Sequence, residues 1–130
     1  MPTVLIADDS PTIRGFARLA LRGLGVELVE AEDGVQALEQ IRREVPALAL
    51  VDVNMPNLDG LGVLRALRAD ADPALRGVRV LLLTAERGEE LLAQCLAAGA
   101  TGVIEKPLRI AELKATVGAL LAQLAAEAAP

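Results

Sequence analysis

The chain has 130 residues, 53% of them hydrophobic and 24% charged, with a net charge of −5 at pH 7 and a pI near 4.7. This is one soluble globular domain, too acidic for nucleic-acid binding to be its main activity and without the ~20-residue apolar stretch that spans a bilayer. The absence of histidine removes His-based catalysis and His metal ligation, and one cysteine, Cys95, permits no intramolecular disulfide and suits the cytosol.

Apolar runs alternate with amphipathic stretches from end to end. Thr3 to Ala7 reads as a first strand. Ser10-Pro11 then supplies a helix cap and first-turn proline, with Ile13, Ala17, Leu21 and Leu24 at helical spacing and Gly25 as the stop. Val26 to Glu30 alternates as a second strand. Asp33-Gly34-Val35-Gln36 has capping-box form and opens a helix carrying Ala37, Leu38 and Ile41, stopped by Pro46.

Ala47 to Val53 is almost wholly apolar, as in a strand covered on both faces. A third helix follows at Leu61, Leu64 and Leu67, then a fourth strand from Val78 to Leu83. A fourth helix, with Leu91, Leu92, Cys95 and Leu96, runs to Gly99 and precedes a brief strand at Gly102-Val103-Ile104. The last helix carries Ile110, Leu113, Val117, Leu120 and Leu124, and its Ala-rich end is expected to fray. Five βα units predict a doubly wound parallel sheet with helices on both faces, in one domain over residues 1–130 with its core at about 3–125.

In such a sheet, chemistry lies beyond the carboxyl ends of the strands. There the chain places Asp8-Asp9, Asp52, Thr84 and Glu105-Lys106-Pro107; Glu30 to Asp33, after the second strand, reads as cap and loop. Taken singly, each site residue has a plain reading as a cap, a turn residue or a solvated charge; their shared position is the signal. Two carboxylates about 5 Å apart repel by roughly 3 kcal/mol at an effective dielectric near 20, so three need a counter-charge. Lys106 is one, and a hard cation bound by oxygen ligands is another. Mg²⁺ suits this set, and zinc does not. An aspartate so neutralised is a nucleophile toward phosphorus, with Lys106 and Thr84 placed for phosphoryl oxygens.

The segments "VLIADDSPTIR", "EAEDGVQAL", "VDVNMPNLDGLGVL", "LLLTAE" and "AAGATGVIEKP", with the final helix, occur in an order that closely resembles the receiver domain of two-component response regulators. The single-domain, chemotaxis (CheY-like) members are the nearest type. The resemblance implies a flavodoxin-like three-layer (βα)5 fold and a signalling protein that catalyses only its own phosphorylation and dephosphorylation. It implies Asp52 as phosphoacceptor and Mg²⁺ held by Asp9, Asp52 and the backbone carbonyl of Asn54, with Asp8 acting through water. It further implies Thr84 as switch hydroxyl, Lys106 as phosphoryl partner before a cis proline, and Asn54 and Glu86 as tuners of hydrolysis. The expected partners are a sensor histidine kinase and a downstream protein (a motor switch, a pilus system or a kinase) in the cytoplasm, with no nucleic acid and no membrane insertion.

One position departs from the pattern. Val103 stands where the family often has an aromatic switch residue, and a β-branched valine has no ring to swing and few χ1 choices. Signalling is then expected to rest on Thr84, the loop after it and the fourth helix. Three rival readings fare worse. An inert interaction module is expected to lack one of the acidic, threonine or lysine positions. A haloacid-dehalogenase-like phosphatase needs a second Asp two residues after Asp52, where Asn54 stands. A nucleotide site needs more than Gly60-Leu61-Gly62. Arg14, Arg18 and Arg22 read as a solvated face of the first helix, with kinase contact as the alternative, and Cys95 reads as core.

Overall fold

In a computed structural model, which describes residues 1–128, the chain forms β1 (Thr3–Ala7), α1 (Pro11–Leu21), β2 (Glu27–Ala31), α2 (Gly34–Glu44), β3 (Leu48–Asp52) and α3 (Gly60–Arg68). These are followed by α4 (Pro73–Arg76), β4 (Arg79–Thr84), α5 (Glu89–Ala97), β5 (Gly102–Glu105) and α6 (Ile110–Ala128). The five strands are parallel in the order β2-β1-β3-β4-β5, so strand order reverses between β1 and β3. The expected doubly wound, flavodoxin-like sheet is present, and its switch point lies between Asp8 and Asp52.

The apolar runs are explained by burial on both faces. Leu5, Ala7, Ala49, Val51, Val80 and Leu82 point to the α2–α5 side, where they meet Ala37, Ile41, Leu64, Leu67 and Cys95. Their neighbours Val4, Ile6, Leu48, Leu50, Leu81 and Leu83 point to the α1–α6 side and meet Ala17, Ala20, Leu21, Leu113 and Val117. Consecutive strand residues face opposite sides, so a strand covered twice has no place for an alternating polar residue.

The local signals hold with adjustments. Ser10 Oγ accepts from the Ile13 amide (3.3 Å), and Asp33 Oδ1 accepts from the Gln36 amide (2.8 Å). The reciprocal arm of the second cap lands one residue early, since Gln36 Oε1 accepts from the Glu32 amide (3.0 Å). Helix α1 stops at Leu21 rather than running through Leu24 to Gly25: Gly23 and Gly25 both turn left-handed (φ 86 and 70), and Leu24 packs on the core from the turn. Asp72-Pro73 caps the short α4, an element the helical periodicity did not reveal. The last helix is regular to Ala128, and the end of the Ala-rich tail expected to fray, residues 129–130, lies outside the described residues.

Candidate functional site

The acidic cluster is built where β1 and β3 end. Asp8 is fully buried, and both its carboxylate oxygens are used: Oδ1 accepts from the Ser10 amide (2.9 Å) and Oδ2 from Lys106 Nζ (2.9 Å). Asp52, 4% exposed, accepts from the Asn54 amide at Oδ1 (3.3 Å) and pairs with Lys106 Nζ at Oδ2 (3.2 Å). Exposed Asp9 completes the group, with carboxylate oxygens of Asp8, Asp9 and Asp52 all within 4.8 Å of one another. Lys106 reaches them from the end of β5, ahead of the expected cis peptide to Pro107.

The electrostatics follow from this crowding. Burial, then the Asp8 charge, pushes the Asp52 carboxyl above its usual range, while Lys106 pulls it back. For Lys106, burial acts downward and is the largest single influence. The hydrogen bond and charge of Asp8, joined by those of Asp52, outweigh it and leave the ammonium raised. One lysine thus serves two carboxylates and stays protonated.

Glycine makes the close approach possible. The Gly60 amide donates to the Val53 carbonyl (2.9 Å), and a Cβ on Gly60 would collide with the Asp52 backbone carbonyl. The α3 N-terminus is therefore seated directly against the strand end that carries Asp52. Asn57, left-handed at φ 71, braces the same loop through Nδ2 to Asp33 Oδ2 (2.8 Å), a conformation asparagine tolerates.

Thr84 is buried, but its hydroxyl is turned to its own loop: Oγ1 accepts from the Glu86 amide (3.0 Å) and donates to the Glu86 carbonyl (3.4 Å). The structure thus brings Asp8, Asp9, Asp52 and Lys106 together and leaves Thr84 one step aside. Asn54 and Glu86 are exposed at the rim. Val103 lines an open groove of about 270 Å³ with Thr84, Glu86, Leu91, Leu92 and Glu105.

Two residues with a structural part here escaped the sequence reading. Arg14 does not belong to a solvated face. Its side chain is 12% exposed, Nη1 donates to the Asp8 carbonyl (2.6 Å), and Nε donates to Glu30 (3.1 Å). Glu30 is more than cap and loop, because it also accepts from Arg18 (2.6 Å). The periodicity of α1 put Arg14 off the apolar stripe; its partners lie on the neighbouring β2 edge and at the end of β1, and a one-dimensional pattern contains neither.

The donor set fits a hard divalent cation: it offers oxygen atoms only, the sequence has no histidine, and its sole thiol, Cys95, is buried in α5. Among the described residues no helix is long and apolar enough to cross a membrane.

Comparison with known proteins agrees with this geometry. Residues 4–118 match the family model described as the response regulator receiver domain. A Pseudomonas aeruginosa relative, provisionally named a transcriptional regulator, is 37% identical over 126 residues, covering 94% of this chain and 58% of its own length. The DNA-binding response regulator MtrA of Mycolicibacterium smegmatis is 36% identical over 118 residues, covering 91% of this chain and 50% of its own. The chain therefore spans about half the length of the curated relatives it matches. The chemotaxis response regulator CheY4 of Vibrio cholerae superposes with a TM-score of 0.84 at 32% identity, covering 92% of this chain and 98% of that one. With the sheet order, the switch-point carboxylates and the family match in agreement, the chain belongs to the response regulator receiver family of two-component signalling.

Proposed function

We propose that this receiver accepts a phosphoryl group on Asp52 from the phosphohistidine of a sensor histidine kinase and later loses it to water. The observation that carries the reading is Lys106 Nζ, 2.9 Å from Asp8 and 3.2 Å from Asp52, beside a third carboxylate on the same edge. Asp9, Asp52 and the Asn54 backbone carbonyl would hold Mg²⁺, with Asp8 acting through water. When bound, the ion supplies the positive charge that lets an anionic carboxylate meet an anionic phosphoryl group.

The chain's own residues do the rest. An Asp52 oxygen attacks phosphorus, the P–N bond to the kinase imidazole breaks, and the electron pair leaves with the ring nitrogen. Lys106, held protonated by its two carboxylates, is placed to neutralise a phosphoryl oxygen. Hydrolysis reverses the attachment: water attacks phosphorus, the Asp52 O–P bond breaks, and carboxylate and inorganic phosphate result. Asn54 and Glu86, exposed beside the site, set how readily that water is admitted.

Switching rests on Thr84. Its hydroxyl leaves the Glu86 amide for the phosphoryl group, which frees the loop at the N-terminus of α5. Val103 cannot follow by rotating a ring, so the change is carried by that loop, by α5 and by the groove they share. The response passes to a downstream protein in the cytoplasm by direct contact.

Incubation with Mg²⁺ and acetyl phosphate, followed by intact-mass measurement, tests the reading. A gain of one phosphoryl group that Asp52→Asn abolishes is expected. No uptake by the wild-type chain would leave an inert module of the same fold.

A further inference from the structure

Beyond the four residues that form the acidic cluster, the β1–α1 junction carries an arginine with a defined task. The Asp8 carbonyl is half of the peptide group that joins Asp8 to Asp9, and both residues give carboxylate oxygens to the cluster. On the amide side, Asp8 is fixed by the sheet, its N–H donating to the Ala31 carbonyl (3.1 Å). Its carbonyl side lies beyond the last β1 residue, and there Arg14 Nη1 donates to it (2.6 Å) from one turn into α1.

The guanidinium is itself held. Nε donates to Glu30 Oε1 (3.1 Å) on the edge strand β2, and Nη2 lies 4.0 Å from Glu32. With 12% of its side chain exposed, Arg14 is far more enclosed than Arg18, which shares Glu30 but is 52% exposed and makes no hydrogen bond to Asp8. A planar fork can bond the Asp8 carbonyl and Glu30 at once in one fixed plane; a lysine ammonium, a single point donor, cannot reproduce that.

We propose that Arg14 is a positioning residue of the acidic site, fixing the plane of the Asp8–Asp9 peptide and hence the direction in which Asp9 presents its carboxylate, with Glu30 as its anchor. The inference rests on the reading of the cluster as a Mg²⁺-dependent phosphoacceptor site. Asp8 needs little help, since both its carboxylate oxygens are already bonded. Asp9 is exposed, so its aim depends on the backbone that carries it.

Two readouts test this on the intact chain: Mg²⁺ affinity by calorimetry, and the Asp9 amide resonance in metal-free protein. Arg14→Met is expected to weaken Mg²⁺ about tenfold, the scale of losing a partner that orients a ligand, and to shift the Asp9 amide. Arg14→Lys, which keeps the charge, should fall with it. Arg18→Met, which loses the same Glu30 contact without touching Asp8, should stay within about twofold of wild type on the same scale. Recovery of wild-type affinity and amide position in Arg14→Lys would overturn the proposal, because charge alone would then suffice. An unshifted Asp9 amide in folded Arg14→Met would overturn it too; if that variant fails to fold, Arg14→Lys decides. Should wild type bind no Mg²⁺ at all, the receiver reading fails, and the metal-free Asp9 amide still decides the positioning role.

Discussion

The carboxyl edge of the sheet has two unlike halves. At β1 and β3, buried carboxylates are saturated: Asp8 and Asp52 have partners on both oxygens, and Gly60 is packed against the Asp52 backbone. At β4 and β5, α5 buries only Cys95, leaves Leu92 and Leu96 exposed by 42% and 49%, and starts at Gly88 without a side-chain cap. An open groove separates α5 from Val103. The first half is organised before any ligand arrives, as electrostatic catalysis requires; the second is held by few buried contacts, as in segments that move. The proposed reaction and the proposed switch thus occupy neighbouring but mechanically different ground.

The sharpest way to break that contrast is to disturb each half by a single side-chain substitution. Gly60→Ala drives a Cβ into the Asp52 carbonyl, carbonyl carbon and Val53 Cα, all backbone atoms that cannot rotate away. We expect a loss of about 3 kcal/mol or more in urea unfolding, at the upper end of overpacking costs, with phosphoryl uptake lost alongside. Leu96→Ala on the loose half should stay within about 0.5 kcal/mol, as surface changes do. Equal costs at the two positions would erase the distinction.

A smaller effect probes charge rather than shape. Lys106→Met removes the cation shared by Asp8 and Asp52 and leaves two buried carboxylates facing each other. Breaking a buried pair from one side costs about 3–5 kcal/mol; with 18% of the lysine side chain exposed, about 2 kcal/mol is expected in metal-free buffer. If the cluster takes a divalent cation, added Mg²⁺ should recover part of that loss. Stability of the variant that is indifferent to Mg²⁺ would argue that no cation replaces the ammonium.

Most of the saturated half was legible in the sequence, because its residues sit at strand ends that hydrophobic runs mark unambiguously. Asp8, Asp9, Asp52 and Lys106 meet as a consequence of parallel strands in register, a property of topology that five alternating βα units already imply. What stayed hidden depends on pairings across the fold. Arg14 and Glu30 are sixteen residues apart and meet only because β2 lies beside β1. The resting rotamer of Thr84 is likewise a matter of local geometry: its hydroxyl can cap its own loop or reach the site, and residue identity does not choose. The short α4 left a trace in Asp72-Pro73, a capping signature too brief to show as periodicity.

The last and smallest effect concerns the brace between the loop after β3 and α2. Asp33 accepts from the Gln36 amide and from Asn57 Nδ2, each at 2.8 Å, and these bonds, the Gln36 amide first, hold its carboxyl below the ordinary aspartate range. A depressed carboxylate contributes stability that is fully present above its unfolded value, near 4, and is lost as pH falls through the lower folded value. Asparagine keeps a capping oxygen but cannot titrate. Asp33→Asn should therefore show a shallower decline in melting temperature than wild type from about pH 4 downward. The two curves should differ least in slope near neutrality, where Asp33 stays ionised. The group is at the surface and the effect correspondingly slight, so the comparison belongs at low salt, where screening is weakest. Parallel curves through the acid range would mean that the brace holds the loop by shape alone, and that the saturated half owes its order to the buried carboxylates and Gly60.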